Sequence, residues 1–206
     1  MNPDVLILAA VALAVALGLG VVTLILRHLA RRRRERLAPA FELGTCRGVG
    51  PLGTVVEGVY RGYTCRYAVQ HASQYNPGGA SIRLAAASAV RWSAQVADVG
   101  SRLMVKVGLL KDVEVGADEF DQRLRFTAED EGALRSLVGT EAMRTALGAL
   151  LASPNFAAVQ IRADRLDARW APRSRSLDED PEVLRSRLEA VVTLAGACGC
   201  SPRLGI

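Results

Sequence analysis

Residues 54–71 read TVVEGVYRGYTCRYAVQH. From Tyr63 onward the residues alternate. Tyr63, Cys65, Tyr67, Val69 and His71 share one face, and Thr64, Arg66, Ala68 and Gln70 share the other. An extended chain turns successive side chains to opposite sides, so this pattern predicts a strand with one dry face and one wet face. Residues 54–60 are also strand-like, and Arg61-Gly62 between the two runs predicts a tight hairpin turn.

The same period recurs downstream. Asn76-Pro77-Gly78-Gly79 marks a turn, and residues 80–86 form a plausible third strand. Leu103, Val105 and Val107 alternate with Arg102, Met104 and Lys106. Phe120, Gln122, Leu124 and Phe126 alternate with Asp121, Arg123 and Arg125. Ala157, Val159 and Ile161 lead into an Ala163-Asp164 turn, and Leu166, Ala168 and Trp170 follow it.

Helical periods occur in three places. Residues 128–138 open on Glu129, Asp130 and Glu131, acids suited to a helix N-terminus, and carry Leu134, Leu137 and Val138. Gly139 breaks that helix. Thr140 can cap the next, which presents Met143, Leu147, Leu150 and Leu151 before Ser153-Pro154. The last helix has Asp180 as cap, Pro181 in its first turn and a stripe of Leu184, Leu188, Val191 and Ala195. Strands and helices do not alternate regularly, which excludes a doubly wound fold. The order predicts an α+β domain, an antiparallel sheet with helices packed on one face.

Upstream, residues 5–26 hold 22 residues without a charge. As a helix they span about 33 Å, enough for a hydrocarbon core of about 30 Å. Thr23 is the polar member, and its hydroxyl can bond back to the helix. A cleaved signal peptide fits poorly, because Asp4 makes the start acidic and the arginines follow the apolar run. Arg27, Arg31, Arg32, Arg33, Arg34 and Arg36 stand against Glu35 alone, whereas residues 37–206 carry 20 bases and 19 acids. The chain's net charge of +5 therefore belongs to ten residues. Beside an apolar helix these arginines are a topology determinant.

The expected organisation is a short outer N-terminus at 1–4, a transmembrane helix at 5–26, and a basic juxtamembrane segment with a Gly-rich linker at 27–53. A cytoplasmic α+β domain at 54–198 and a tail at 199–206 follow. The predicted location is a bacterial inner membrane, crossed once, with the main domain in the cytoplasm. The bilayer and its anionic headgroups are the first expected partners. Ala10, Ala14 and Gly18, and Ala12, Ala16 and Gly20, recur every four residues, rows that would let two such helices pair into a homodimer.

Residues 111–126, with Gly116, Phe120-Asp121 and Phe126, then two short helices and a hairpin, carry a resemblance. The chain resembles a bacterial family of unknown function, single-pass membrane-anchored domains with a Gly-Asp-x-x-Phe-Asp-x-x-Phe-x-Val strand. The family's first Asp is displaced here to Asp118, its first Phe falls on Phe120, and its second is Leu124. The resemblance spans residues 50–197 and implies the architecture without an activity.

Candidate chemistry is sparse. Gly48-Val49-Gly50-Pro51-Leu52-Gly53 matches a dinucleotide loop in letters, but it holds a Pro and precedes a strand rather than a helix. Cys46, Cys65, Cys198 and Cys200 fit neither zinc-finger nor Cys-x-x-Cys spacing. Cys65 and His71 sit about 20 Å apart on one strand, too far to act as a pair. Asp178, Glu179, Asp180 and Glu182 read as helix-start acids. Arg123 with Arg125, and Arg165 with Arg169, form small basic stripes on strand faces. No catalytic, cofactor or metal residue is assigned. The arginines spread along the whole chain, 24 against 2 Lys, and no aromatic platform accompanies them, so nucleic acid is excluded as partner. The expectation is a non-enzymatic membrane protein whose domain binds a protein or the membrane surface. The rival is an enzyme built on Asp121, Arg123 or His71, and a further alternative is a homodimeric membrane scaffold.

Overall fold

The computed structural model describes residues 3–45, 53–70, 78–97, 112–172, 178 and 180–203, with backbone alone for 3–12, 30, 33, 34, 44, 45 and 53. Expectations on Cys46, residues 48–52, His71, the strand at 103–107 and Glu179 lie outside the described residues.

The hairpin forms as its pattern predicts over residues 54–70. Strands β2 (Gly53–Tyr60) and β3 (Tyr63–Gln70) pair antiparallel with Tyr60 opposite Tyr63. That leaves Arg61 and Gly62 as the loop, at φ 48° and 80°. Two left-handed residues in succession match the twist of the strands they join. Around this hairpin lie β1 (Leu43–Thr45), β4 (Gly79–Ala87), β5 (Trp92–Val96), β6 (Leu124–Ala128), β7 (Phe156–Ile161), β8 (Arg165–Trp170) and β9 (Ser201–Pro202). Among the described residues these strands form one sheet in the order β1-β2-β3-β4-β8-β7-β5-β6, with β9 on β4. Every pair is antiparallel.

The register explains the core. Val56 faces Tyr67, Tyr67 faces Ile82, and Ile82 faces Ala168. Ala168 then faces Val159, Val159 faces Ala94, and Ala94 faces Phe126. All seven side chains are buried. Paired residues share a face, so one apolar row crosses seven strands. Three helices join this core: α3 (Glu131–Val138), α4 (Glu141–Ala152) and α5 (Pro181–Ala197). Asp130, Thr140 and Asp180 cap them, each accepting a backbone N–H of the first turn. Leu184, Leu188, Val191 and Ala195 are all buried, as the stripe predicts. Gly199, at φ 64°, turns the chain after α5.

Three expectations need correction. The run 120–126 is not one strand. Asp118–Asp121 forms a helical turn, α2, and β6 starts only at Leu124. The reason is local: Asp121's carboxylate accepts from the N–H groups of Val115, Gly116 and Ala117, at 2.9, 3.0 and 3.1 Å. That hydrogen bonding competes with a sheet ladder and wins. Residues 199–203 belong to the packed domain rather than to a tail, because Cys200 is buried and Ser201 and Pro202 pair with Ala87 and Ala86. The packed body also begins before residue 54. Helix α1 runs Pro3–Leu37 without a break, through the arginine cluster. Leu37, Ala40 and Phe41 are buried, and β1 pairs with β2.

Phe41 docks because residue 58 has no side chain. A Cβ on Gly58 would lie 2.7–2.8 Å from Phe41. We expect Gly58→Val to expel Phe41 and cost about 1–3 kcal/mol. Gly148→Ala, an exposed helical site with open space around it, should instead stabilise by up to about 1 kcal/mol. Urea unfolding of both variants checks this, and an unchanged midpoint for Gly58→Val contradicts the docking.

Candidate interaction surface

The sheet face opposite the core is polar. Register places Glu57 opposite Arg66, Arg66 opposite Arg83, and Arg83 opposite Asp167. Asp167 then faces Gln160, Gln160 faces Ser93, and Ser93 faces Thr127. Asp167 organises this face. Its side chain is 11% exposed, and it receives Arg83 Nε at 2.6 Å and Arg165 Nε at 3.0 Å. Arg66 meets Glu57 at 3.7 Å, Arg165 also meets Asp164 at 3.5 Å, and Ser93 and Thr127 hydroxyls bond at 2.6 Å. Arg169 is exposed and has no ion-pair partner among the described residues. Four guanidinium groups therefore face three carboxylates here, and the carboxylates are already engaged.

The surface is shallow. A groove of about 340 Å³ lies over Glu57, Thr64, Arg66, Arg83, Asp164 and Arg165. A wider one of about 590 Å³ runs past Arg91, Thr127, Glu129, Gln160 and Arg162. Neither encloses a substrate-sized chamber. Among the described residues no group of three or more His, Cys, Asp or Glu could hold a metal ion.

The sequence-predicted residues scatter. Arg165 and Arg169 share the open face, as expected. Arg123 and Arg125 do not form a solvated stripe, because Arg125 is buried against Asp112 at 3.3 Å and Arg123 precedes the strand. Asp121 serves the Val115–Ala117 backbone and does not converge with Arg123. Arg27, Arg31, Arg32 and Arg36 are exposed on α1, and Arg31 bonds Glu35 at 2.9 Å. Asp180 caps α5, but its neighbour Asp178 has a separate role that the acidic cluster hid. Asp178 is buried and pairs with buried Arg187 at 2.9 Å. Arg187 stacks over the Trp170 ring at 4.9 Å, and Tyr67 donates its hydroxyl proton to the Asp178 carbonyl at 2.6 Å.

The thiols differ by environment. Burial pushes the Cys65 thiol up to about 12. A hydrogen bond from Cys198 lowers the Cys200 thiol to about 7 against the opposing effect of burial, and the same bond raises Cys198.

No family model and no curated protein matches the chain. Among solved structures it is similar to the crystal structure of the mycobacterial trehalose monomycolate transport factor A, TtfA. The identity is 16%, the TM-score 0.44, and the match covers 87% of this chain and 99% of that one. A likeness of that size carries no argument about fold or function.

The Asp178–Arg187 pair makes a separable prediction. Arg187→Met strands a buried carboxylate and should cost about 3–5 kcal/mol. Asp178→Asn added to it should recover stability, because a neutral amide is cheaper to bury than an unpaired charge. Thermal unfolding of the single and double variants checks the order, and a double variant less stable than the single contradicts it.

Proposed function

We propose that this chain is a single-pass membrane protein whose α+β domain presents its open sheet face to an acidic protein partner, without catalysing a reaction. The observation that carries the reading is exposure on two surfaces. Along α1, Leu13, Val15, Leu17, Leu19, Val21, Val22, Leu24 and Ile25 are 53–66% exposed. The folded domain covers none of them. Apolar side chains open on every side of a helix need an apolar surrounding, and a patch of this size marks a membrane or partner site. Among the described residues, where side chains begin at Leu13, no helix is long and apolar enough to cross a membrane. What supports the span is the uncharged run 5–26 inside α1, with Thr23 donating to the Leu19 carbonyl at 2.7 Å. The arginines after it support an inward-facing domain.

The second surface is the wet sheet face. Helices α3–α5 occupy the opposite face, which leaves Arg66, Arg83, Arg165 and Arg169 accessible around Asp167. Such a face attracts carboxylates of a partner and gives specificity and speed of association more than raw affinity. A shallow surface supports docking better than turnover.

Crosslinking and pull-down from native membranes tests the reading. A partner should be recovered with the wild-type chain and released by raised salt, as screened charge pairs require. Arg66→Glu with Arg169→Glu should lose it, while Arg144→Glu on the helix side should keep it. Recovery unaffected by the double reversal contradicts the proposed face.

A further inference from the structure

At the strand ends beside the Ala163-Asp164 turn, the open sheet face carries a groove of about 590 Å³. Its floor is a polar row. Gln160 faces Ser93, and Ser93 faces Thr127, across β7, β5 and β6. Arg162, Arg91 and Glu129 stand two residues along from these three, on the same side of their strands, and also line the groove. The Ser93 and Thr127 hydroxyls bond each other at 2.6 Å. That bond uses one of their two protons and leaves the other for an outside acceptor. Arg162 donates from Nη2 to Gln160 Oε1 at 2.9 Å and meets no carboxylate among the described residues. Arg91 meets Glu129 at 3.4 Å, with both side chains more than half exposed. A pair so long and so wet contributes little and yields to a better anion. Asp164, the other carboxylate at the rim, meets Arg165 at 3.5 Å. Two guanidinium groups therefore face one weakly engaged carboxylate.

We propose that this groove binds a phosphate monoester of a small polyhydroxylated molecule, the sugar-phosphate class. The site does not rest on the docking reading, whose Arg66, Arg83, Arg165 and Arg169 lie outside it. A phosphate monoester brings nearly two negative charges and three strong acceptor oxygens. Two planar guanidinium forks and one hydroxyl proton are the donors that match them. A carboxylate has one oxygen fewer and would leave one of these donors unused. The phosphate fills only part of the groove, whose volume falls within the roughly 300–1,000 Å³ usual for small-molecule sites. The rest is lined by a hydroxyl pair and the Gln160 amide, which suit the hydroxyls of a polyol. Trp92 and Ile161, the large apolar residues beside it, are buried in the core, so the groove offers acyl chains no surface. The groove is open, and the ligand is held by polar contacts rather than by enclosure.

Isothermal titration calorimetry on the full chain in detergent micelles tests this, with glucose-6-phosphate and glycerophosphate as probes. At least one probe should bind saturably at a single site, and tighter than inorganic phosphate, glucose or dihexanoyl phosphatidic acid. Arg91→Ala and Arg162→Ala should each weaken it about tenfold or more, the cost of a lost hydrogen bond to a charged group. Glu129→Gln removes the competing carboxylate and should tighten binding. Arg144→Ala, an equal loss of charge on the helix side, should bind as wild type does. Arg91, Glu129, Arg144 and Arg162 are all exposed, so each variant should unfold at the wild-type temperature, which circular dichroism checks. No binding of either probe, affinity no greater than that for inorganic phosphate, or tighter binding of the phosphatidic acid would each overturn the proposal. So would undiminished affinity in Arg162→Ala or weaker binding in Glu129→Gln.

Discussion

An extended strand sends alternate side chains to opposite faces, and here seven neighbouring strands keep that alternation in one register. The row from Val56 through Tyr67, Ile82, Ala168, Val159 and Ala94 to Phe126 is buried from end to end. Slipping any strand by one residue would carry its apolar set to the wet side. Everything else follows from that constraint. The helices must cover the apolar face, since only there can their stripes be buried. The charged partners of the same strands must then collect on the other face, where Asp167 gathers Arg83 and Arg165.

Helix α1 is joined to this body by packing rather than by a free hinge. Helix α1 ends at Leu37, a 3₁₀ turn Ala38–Ala40 follows, and Phe41 fills the space above Gly58. Arg185 of α5 donates to the Pro39 carbonyl at 3.1 Å, while Tyr60 and Arg61 both reach Glu189. Exposed ion pairs of this kind contribute little each, about 0–1 kcal/mol. Burial of Leu37 and Phe41 contributes more, about 1.5–3 kcal/mol per side chain. Under the proposed membrane reading, a helix seated in this way would fix how the open face sits relative to the bilayer.

Much of this was legible in the chain because the signals are local. The turn at Arg61-Gly62, the hairpin through Ala163-Asp164, the caps Thr140 and Asp180 and the α5 stripe each lie within a few residues. The errors come from interactions that spacing does not carry. Alternation at Phe120–Phe126 looked like a strand, but three N–H groups bound by Asp121 made a helical turn. Residues 27–53 read as a juxtamembrane segment and linker because the space for Phe41 is made by a glycine 17 residues further on. Asp178 was hidden among acids, although its partner Arg187 lies nine residues on. Strand β5 was missed because its dry face is only Trp92 and Ala94. The Cys198–Met143 contact joins residues 55 apart, beyond any motif.

The central claim is an apolar helix in the membrane with the sheet domain on the arginine side. Alkaline phosphatase, which is active only outside the bacterial cytoplasm, tests it most directly when fused after residue 206. The account predicts an inactive fusion that fractionates with the membrane and resists carbonate extraction. An active fusion, or one released into the soluble fraction, would contradict it.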